Sequence, residues 1–150
     1  MRLYHFTALH LAPHCLAKGL TLGKIPEIKD GKPGVILGYQ WLTANGNFVQ
    51  AWEAYSSLPY RRNAVRIELK IPKVHRDKLL RWIEFGRRFK ISAILNSFGD
   101  PENWYVYHGK IPTGWFRKVV YNEPPVISPG PGAYPRSRYP SLYQADPIDP

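Results

Sequence analysis

Cysteine is nearly absent: Cys15 is the only one in 150 residues. A single thiol forms no internal disulfide, which excludes the stapled scaffolds of small secreted domains. Long apolar runs are missing as well, and nothing approaches the roughly 18 consecutive apolar residues of a membrane helix. Near the start, His5, Thr7 and Pro13 interrupt any signal-peptide core. These absences predict a soluble protein of a reducing, cytoplasmic compartment with no membrane partner. There is no Walker lysine motif, no GxGxxG and no HExxH. P-loop and dinucleotide folds of those kinds therefore lose support. His10, His14 and Cys15 are close in sequence, but Pro13 breaks the helical face they would need to share, so no metal site is expected.

Acidic residues are the other scarcity. Eleven Asp and Glu face 21 Lys and Arg, a formal net charge of +10 with a pI near 9.8. Such a field attracts nucleic acid, nucleotides or acidic protein surfaces. It is concentrated between Arg61 and Lys90, where 11 basic residues meet 3 acids. Arg61, Arg62 and Arg66, with Arg87 and Arg88 further on, are the expected nucleic-acid contacts, forming one phosphate-attracting surface across a strand and the following helix.

Proline is plentiful but uneven, with 8 of 15 lying between Pro124 and Pro150. That density forbids helix interiors and removes ladder donors. The reading is one globular domain over 1–122 and an extended or disordered proline-rich tail over 123–150.

Within the domain, Leu3 to Thr7 reads as a strand, and Pro13 opens a helix that Gly19 stops. Residues 23–34, with three Gly and two Pro, read as a loop, and Val35 to Leu42 as a buried strand. Phe48, Val49, Trp52 and Tyr55 have roughly helical spacing after the Asn45-Gly46-Asn47 turn. Val65, Ile67, Leu69 and Ile71 alternate with polar residues, the clearest half-buried strand. A helix is expected from Arg76 to about Gly86, then strands at Trp104 to Tyr107 and Trp115 to Tyr121. Strands and helices in mixed order predict an α+β fold.

Taken in order, Tyr4-His5-Phe6-Thr7, Leu11-Ala12-Pro13, Leu16-Ala17-Lys18-Gly19-Leu20, Trp41-Leu42-Thr43 and Trp104-Tyr105-Val106-Tyr107-His108-Gly109-Lys110-Ile111-Pro112 resemble the ADP-ribosyltransferase-like fold. The likeness is to its branch with a His on the first strand, which includes DNA-modifying toxins and, more distantly, RNA 2'-phosphotransferases. It implies a split pair of small, mostly antiparallel β-sheets with flanking helices, around a cleft that binds NAD as a substrate. His5 would hydrogen-bond the ribose, with Thr7 beside it. Trp41, Thr43, Trp52 and Tyr55 would complete the cofactor site, the family's second-helix tyrosine falling between Trp52 and Tyr55. The family's catalytic glutamate aligns with Trp104 or close to it. Glu102, two residues earlier, keeps the same strand face if the strand begins early, and with His5 forms the expected catalytic pair. The implied activity is NAD-dependent ADP-ribosyl transfer to nucleic acid or a nucleic-acid-associated protein. The displaced carboxylate favours the alternative, a non-catalytic module on the same fold that binds nucleic acid, a nucleotide or a protein, including as an inhibitor of a host factor.

Overall fold

Six short segments, of which only Val65–Leu69 alternates strictly between apolar and polar side chains, assemble one sheet. In the computed structural model, which describes residues 1–29, 31–55, 60–91 and 93–122, these are β1 (Leu3–Thr7), β4 (Tyr39–Thr43), β5 (Val65–Leu69), β6 (Leu79–Arg81), β7 (Trp104–His108) and β8 (Phe116–Tyr121). Their order is β6-β7-β4-β1-β5-β8, every neighbour antiparallel. A separate ribbon pairs β2 (Lys24–Lys29) with β3 (Lys32–Leu37). The fold is α+β, with α1 (Ala12–Lys18) and α2 (Trp82–Phe89) flanking the sheet. The proline-rich segment from 123 onward, expected to be extended or disordered, lies outside the described residues.

The sheet packs on both faces, on the second over its β6-β7-β4 half. On one, Leu3, Leu42, Ile67, Leu69 and Tyr107 form a core against which Cys15 and Leu16 of α1 pack. On the other, Trp104 and Val106 meet Trp82 and Phe85 of α2 and Ile25 of the ribbon. Two covering layers explain why β7 buries Trp104 and Val106 on one face and Tyr107 on the other.

One seam of the sheet is weak. β1 pairs with β5 along its whole length and β4 pairs with β7 along its whole length, but β1 and β4 share the single register pair Tyr4↔Thr43. The sheet therefore divides into two three-stranded halves, β6-β7-β4 and β1-β5-β8, which separate beyond that pair.

Several elements differ from the sequence reading, each for a local reason. Most of the stretch 23–34 forms a hairpin instead of a loop, because in a two-stranded ribbon each strand has a free edge that tolerates Pro26 and Pro33, and the single strand expected over Val35 to Leu42 is split between β3 and β4. Val35 and Leu37 are consequently exposed. The helix expected after Asn47 is reduced to a 3-10 turn at Ala51–Tyr55, since Asn45 and Asn47 side chains cap backbone N–H groups of the preceding turns. The helix expected from Arg76 is a 3-10 segment (Lys73–Lys78), then β6, and only then α2. Leu79, Leu80 and Arg81 are drawn into strand by pairing with Tyr107, Val106 and Tyr105, a tertiary contact that sequence periodicity does not register. α2 runs through Gly86 and closes at Lys90.

Candidate functional site: a cleft where the sheet opens

The opening between β1 and β4 is occupied by a side chain. His5 Nδ1 lies 2.9 Å from the carbonyl oxygen of Trp41, so the imidazole takes the place of a missing ladder hydrogen bond. Burial pushes the His5 pKa below its ordinary value of 6.5, although the hydrogen bond to Trp41 acts in the opposite direction. The ring is neutral at pH 7, with Nδ1–H donating and Nε2 left as an acceptor.

This buried neutral histidine predicts a pH dependence. Its folded pKa lies below the unfolded value, so on acidification the unfolded chain takes up the proton first. Its contribution is complete above about pH 6.5 and is lost as the pH falls towards the folded pKa, at up to ~1.4 kcal/mol per pH unit. Urea unfolding across that range should show His5→Gln with a shallower decline than the parent chain, by up to about one proton in linkage. Identical slopes would mean that His5 titrates normally.

Two cavities meet at this histidine. The first, about 330 Å³, is walled by Tyr4, Phe6, Trp41, Trp52 and Trp104. The second, about 400 Å³, runs along α1 past Thr7, His14, Cys15, Thr21 and Gln40. His5, Phe6, Lys24, Trp41 and Arg62 line both, so the two are neighbouring lobes that share a wall. Each lobe has the size of a small-molecule site, roughly 300–1,000 Å³. No Asp or Glu is among the described residues that line either lobe, so the charges facing a ligand are those of Lys24 and Arg62.

Hydrogen bonds hold the aromatic lobe in shape. Asp100 accepts from Trp104 Nε1 at 3.2 Å and from the side-chain amides of Asn45 and Asn103, both at 2.9 Å. The Thr43 hydroxyl accepts the Asn45 N–H at 3.0 Å, and Ala44 N–H donates to the Asn103 carbonyl at 2.8 Å. Trp52 Nε1 donates to Gln50 at 3.1 Å, and Gln50 in turn donates to the carbonyls of Asn45 and Asn47. Trp41 packs against both Trp82 and Trp104, with ring centroids 4.8 and 5.1 Å away, in a three-ring cluster. Arg62 is fixed at the rim. Its guanidinium lies 4.8 Å over the Trp52 ring, and its backbone N–H donates to Glu53 at 3.2 Å. Glu53 and the Arg62 Nε are 4.0 Å apart.

The structure thus brings together His5, Thr7, Trp41, Thr43, Trp52 and Arg62. Tyr55 ends the 3-10 turn beside Trp52, and its side chain lies outside the described residues. Glu102 does not join them. β7 begins at Trp104, so the alternation that would turn Glu102 towards the cleft does not reach it; it sits exposed in the preceding 3-10 turn, Pro101–Asn103, and lines neither lobe. Trp104 stands at the first strand position.

The basic residues from Arg61 to Arg88 do not form the single surface expected of them. Three strands, β7, β4 and β1, separate β5 from β6, a gap of about 19 Å between strand axes at ~4.8 Å each. Arg66 on β5 is half-buried: Nη1 donates to the Gly46 carbonyl at 2.6 Å, and the guanidinium lies over Phe48 and Tyr4. It clamps the loop after β4. Arg61 is exposed and donates to Asn63 at 3.3 Å, while Arg87 and Arg88 are exposed on α2. Lys24 was missed as a site residue because it opens a hairpin that read as a loop. Phe6, inside the Tyr-His-Phe-Thr stretch, was the legible signal for a ring at the same place.

Comparison with family models, curated proteins and solved structures gives no match. Among the described residues, no group of three or more His, Cys, Asp or Glu is placed to hold a metal ion, and no helix is long and apolar enough to cross a membrane.

Proposed function

We propose that the protein is a nucleotide-binding module of the ADP-ribosyltransferase-like kind, and that its cleft takes NAD. The observation that carries this is the pair of lobes meeting at His5, Trp41 and Arg62 where the sheet opens. Its chemistry fits the parts of a dinucleotide. Tryptophan faces stack on flat rings, cationic nicotinamide included. Lys24 and Arg62 answer the charge of a diphosphate, the arginine through a planar donor fork. A neutral His5 offers Nε2 to a ribose hydroxyl, which donates. Two lobes with a shared wall suit two ring systems joined by a charged bridge.

Binding is favoured over transfer because a carboxylate is what an oxocarbenium-like ribose and an acceptor hydroxyl would need, and none lines the cleft among the described residues. Glu53 favours a second reading, an NAD-dependent ADP-ribosyltransferase acting on nucleic acid, since it is held against Arg62 at the rim. Incubation with NAD labelled on its adenylate half, together with DNA, RNA or cell extract, separates the two. The binding reading expects neither transfer nor NAD hydrolysis. Transfer that disappears in both His5→Ala and Glu53→Gln would establish the enzyme instead.

Cys15 supplies an independent readout. It lines the α1 lobe, and burial raises its pKa, with the Thr7 hydroxyl beside it as a smaller opposing effect. A mostly protonated thiol alkylates slowly. Iodoacetamide labelling followed by mass spectrometry should be slow at pH 7 and several-fold slower with saturating NAD. Labelling unaffected by NAD would place the dinucleotide elsewhere.

A further inference from the structure

Of the basic segment, the half that remains free of the cleft forms a surface of its own. From Lys73 to Lys90 there are 7 Lys and Arg against Asp77 and Glu84, and all 7 cations are exposed. They lie on three consecutive elements in contact: the 3-10 segment Lys73–Lys78, the edge strand β6 and α2. Arg81 reaches the Glu102 carbonyl at 3.5 Å. The other six make no ion pair among the described residues. The aromatic layer of Trp82, Trp104 and Trp41 lies between α2 and the cleft, so these cations do not serve the cleft ligand.

We infer that this β6–α2 edge binds the phosphodiester backbone of a nucleic acid, independently of the cleft. Three features select that partner. Long cations in excess, 7 against Asp77 and Glu84, and six of them in no ion pair among the described residues, suit a regular line of phosphates, where affinity comes from releasing condensed counterions. A protein partner would require an apolar centre to the patch, whereas the exposed large apolar side chains on these elements are only Val74 and Ile83. An anionic membrane would require an apolar helix face to insert, and that face of α2 is already spent on the core through Trp82 and Phe85.

The test is fluorescence anisotropy of the full chain with a labelled single-stranded DNA oligonucleotide and with the corresponding duplex. If about five phosphates are engaged, affinity should fall by about 10² between 50 and 200 mM salt. The triple variant Arg76→Ala/Arg87→Ala/Arg88→Ala, all at exposed positions, should weaken binding about tenfold or more and lower the log–log salt slope by about 2–3. Lys70→Ala/Arg117→Ala, on the far side of the sheet, should leave it unchanged. The NAD-dependent protection of Cys15 should be identical in parent and triple variant, so failure of the edge and failure of the cleft are told apart. A flat salt response, equal losses in both variants, or binding to phosphatidylserine vesicles in preference to DNA would overturn the inference.

Discussion

Gly19→Ala is expected to cost about 2–6 kcal/mol, a large part of a domain stability of ~5–15 kcal/mol. Gly19 closes α1 with φ 84° and ψ −170°, a conformation that L residues with a Cβ scarcely enter. A Cβ there would also run into the Ile111 carbonyl oxygen. That oxygen accepts the Leu20 N–H at 2.9 Å, and Ile111 N–H donates back to Leu20 at 3.0 Å. The substitution therefore strains one backbone and pushes apart a bridge that ties α1 to the chain after β7. Strain of ~1–3 kcal/mol in this glycine-only backbone region and overpacking of ~1–3 kcal/mol combine to the stated value. Chemical denaturation measures it directly. A loss below about 1 kcal/mol would show that the helix end relaxes without disturbing the bridge.

Trp104→Ala is expected to cost about 3–5 kcal/mol, the usual range for removing a buried large aromatic residue. Trp104 is 2% exposed, packs against Trp41 and Trp82, and is anchored by its indole N–H to Asp100. Its removal opens a void and leaves one Asp100 oxygen without that donor, while the amides of Asn45 and Asn103 still hold the other. The same variant removes a wall of the aromatic lobe, so NAD affinity should drop together with stability. Trp104→Phe, which keeps most of the ring but not the N–H, should lose less of both. Equal affinity in parent, Phe and Ala variants, measured well below their melting temperatures, would remove Trp104 from the binding surface.

Trp104 also marks how far the site was legible. The order of motifs brought His5, Thr7, Trp41, Thr43 and Trp52 to one place, because each lies on β1, on β4 or in the loop after β4, where local patterning fixes both strand and facing. The carboxylate was different. Whether Glu102 faces the cleft depends on where β7 begins, and that start is fixed by Asp100 gathering Asn45, Asn103 and Trp104 across 55 residues of chain. No local spacing contains that information.

The fold followed the same division. β5 alternates strictly and α1 is bracketed by Pro13 and Gly19, so both were readable within a residue or two of their observed ends. β6 is a strand only because β7 lies beside it, and Lys73–Lys78 stays 3-10 because β6 follows at once. The basic run misled for a related reason: Arg66 and Arg87 belong to one basic stretch of sequence but are carried towards opposite edges of the sheet by strand order. What read as one surface is an arginine clamp behind the cleft and a separate cationic edge.

The most direct test of the central claim, that the opening beside β1 is a nucleotide site, is a tryptophan fluorescence titration with NAD. Three of the five tryptophans, Trp41, Trp52 and Trp104, line one lobe, so a ring stacked there must change their emission. The expected result is saturable quenching in the parent chain, shifted to about tenfold or more higher NAD in Arg62→Ala, in keeping with a lost charge-assisted hydrogen bond of ~1.5–3 kcal/mol. A change that stays linear to millimolar NAD and is the same in both chains would contradict it.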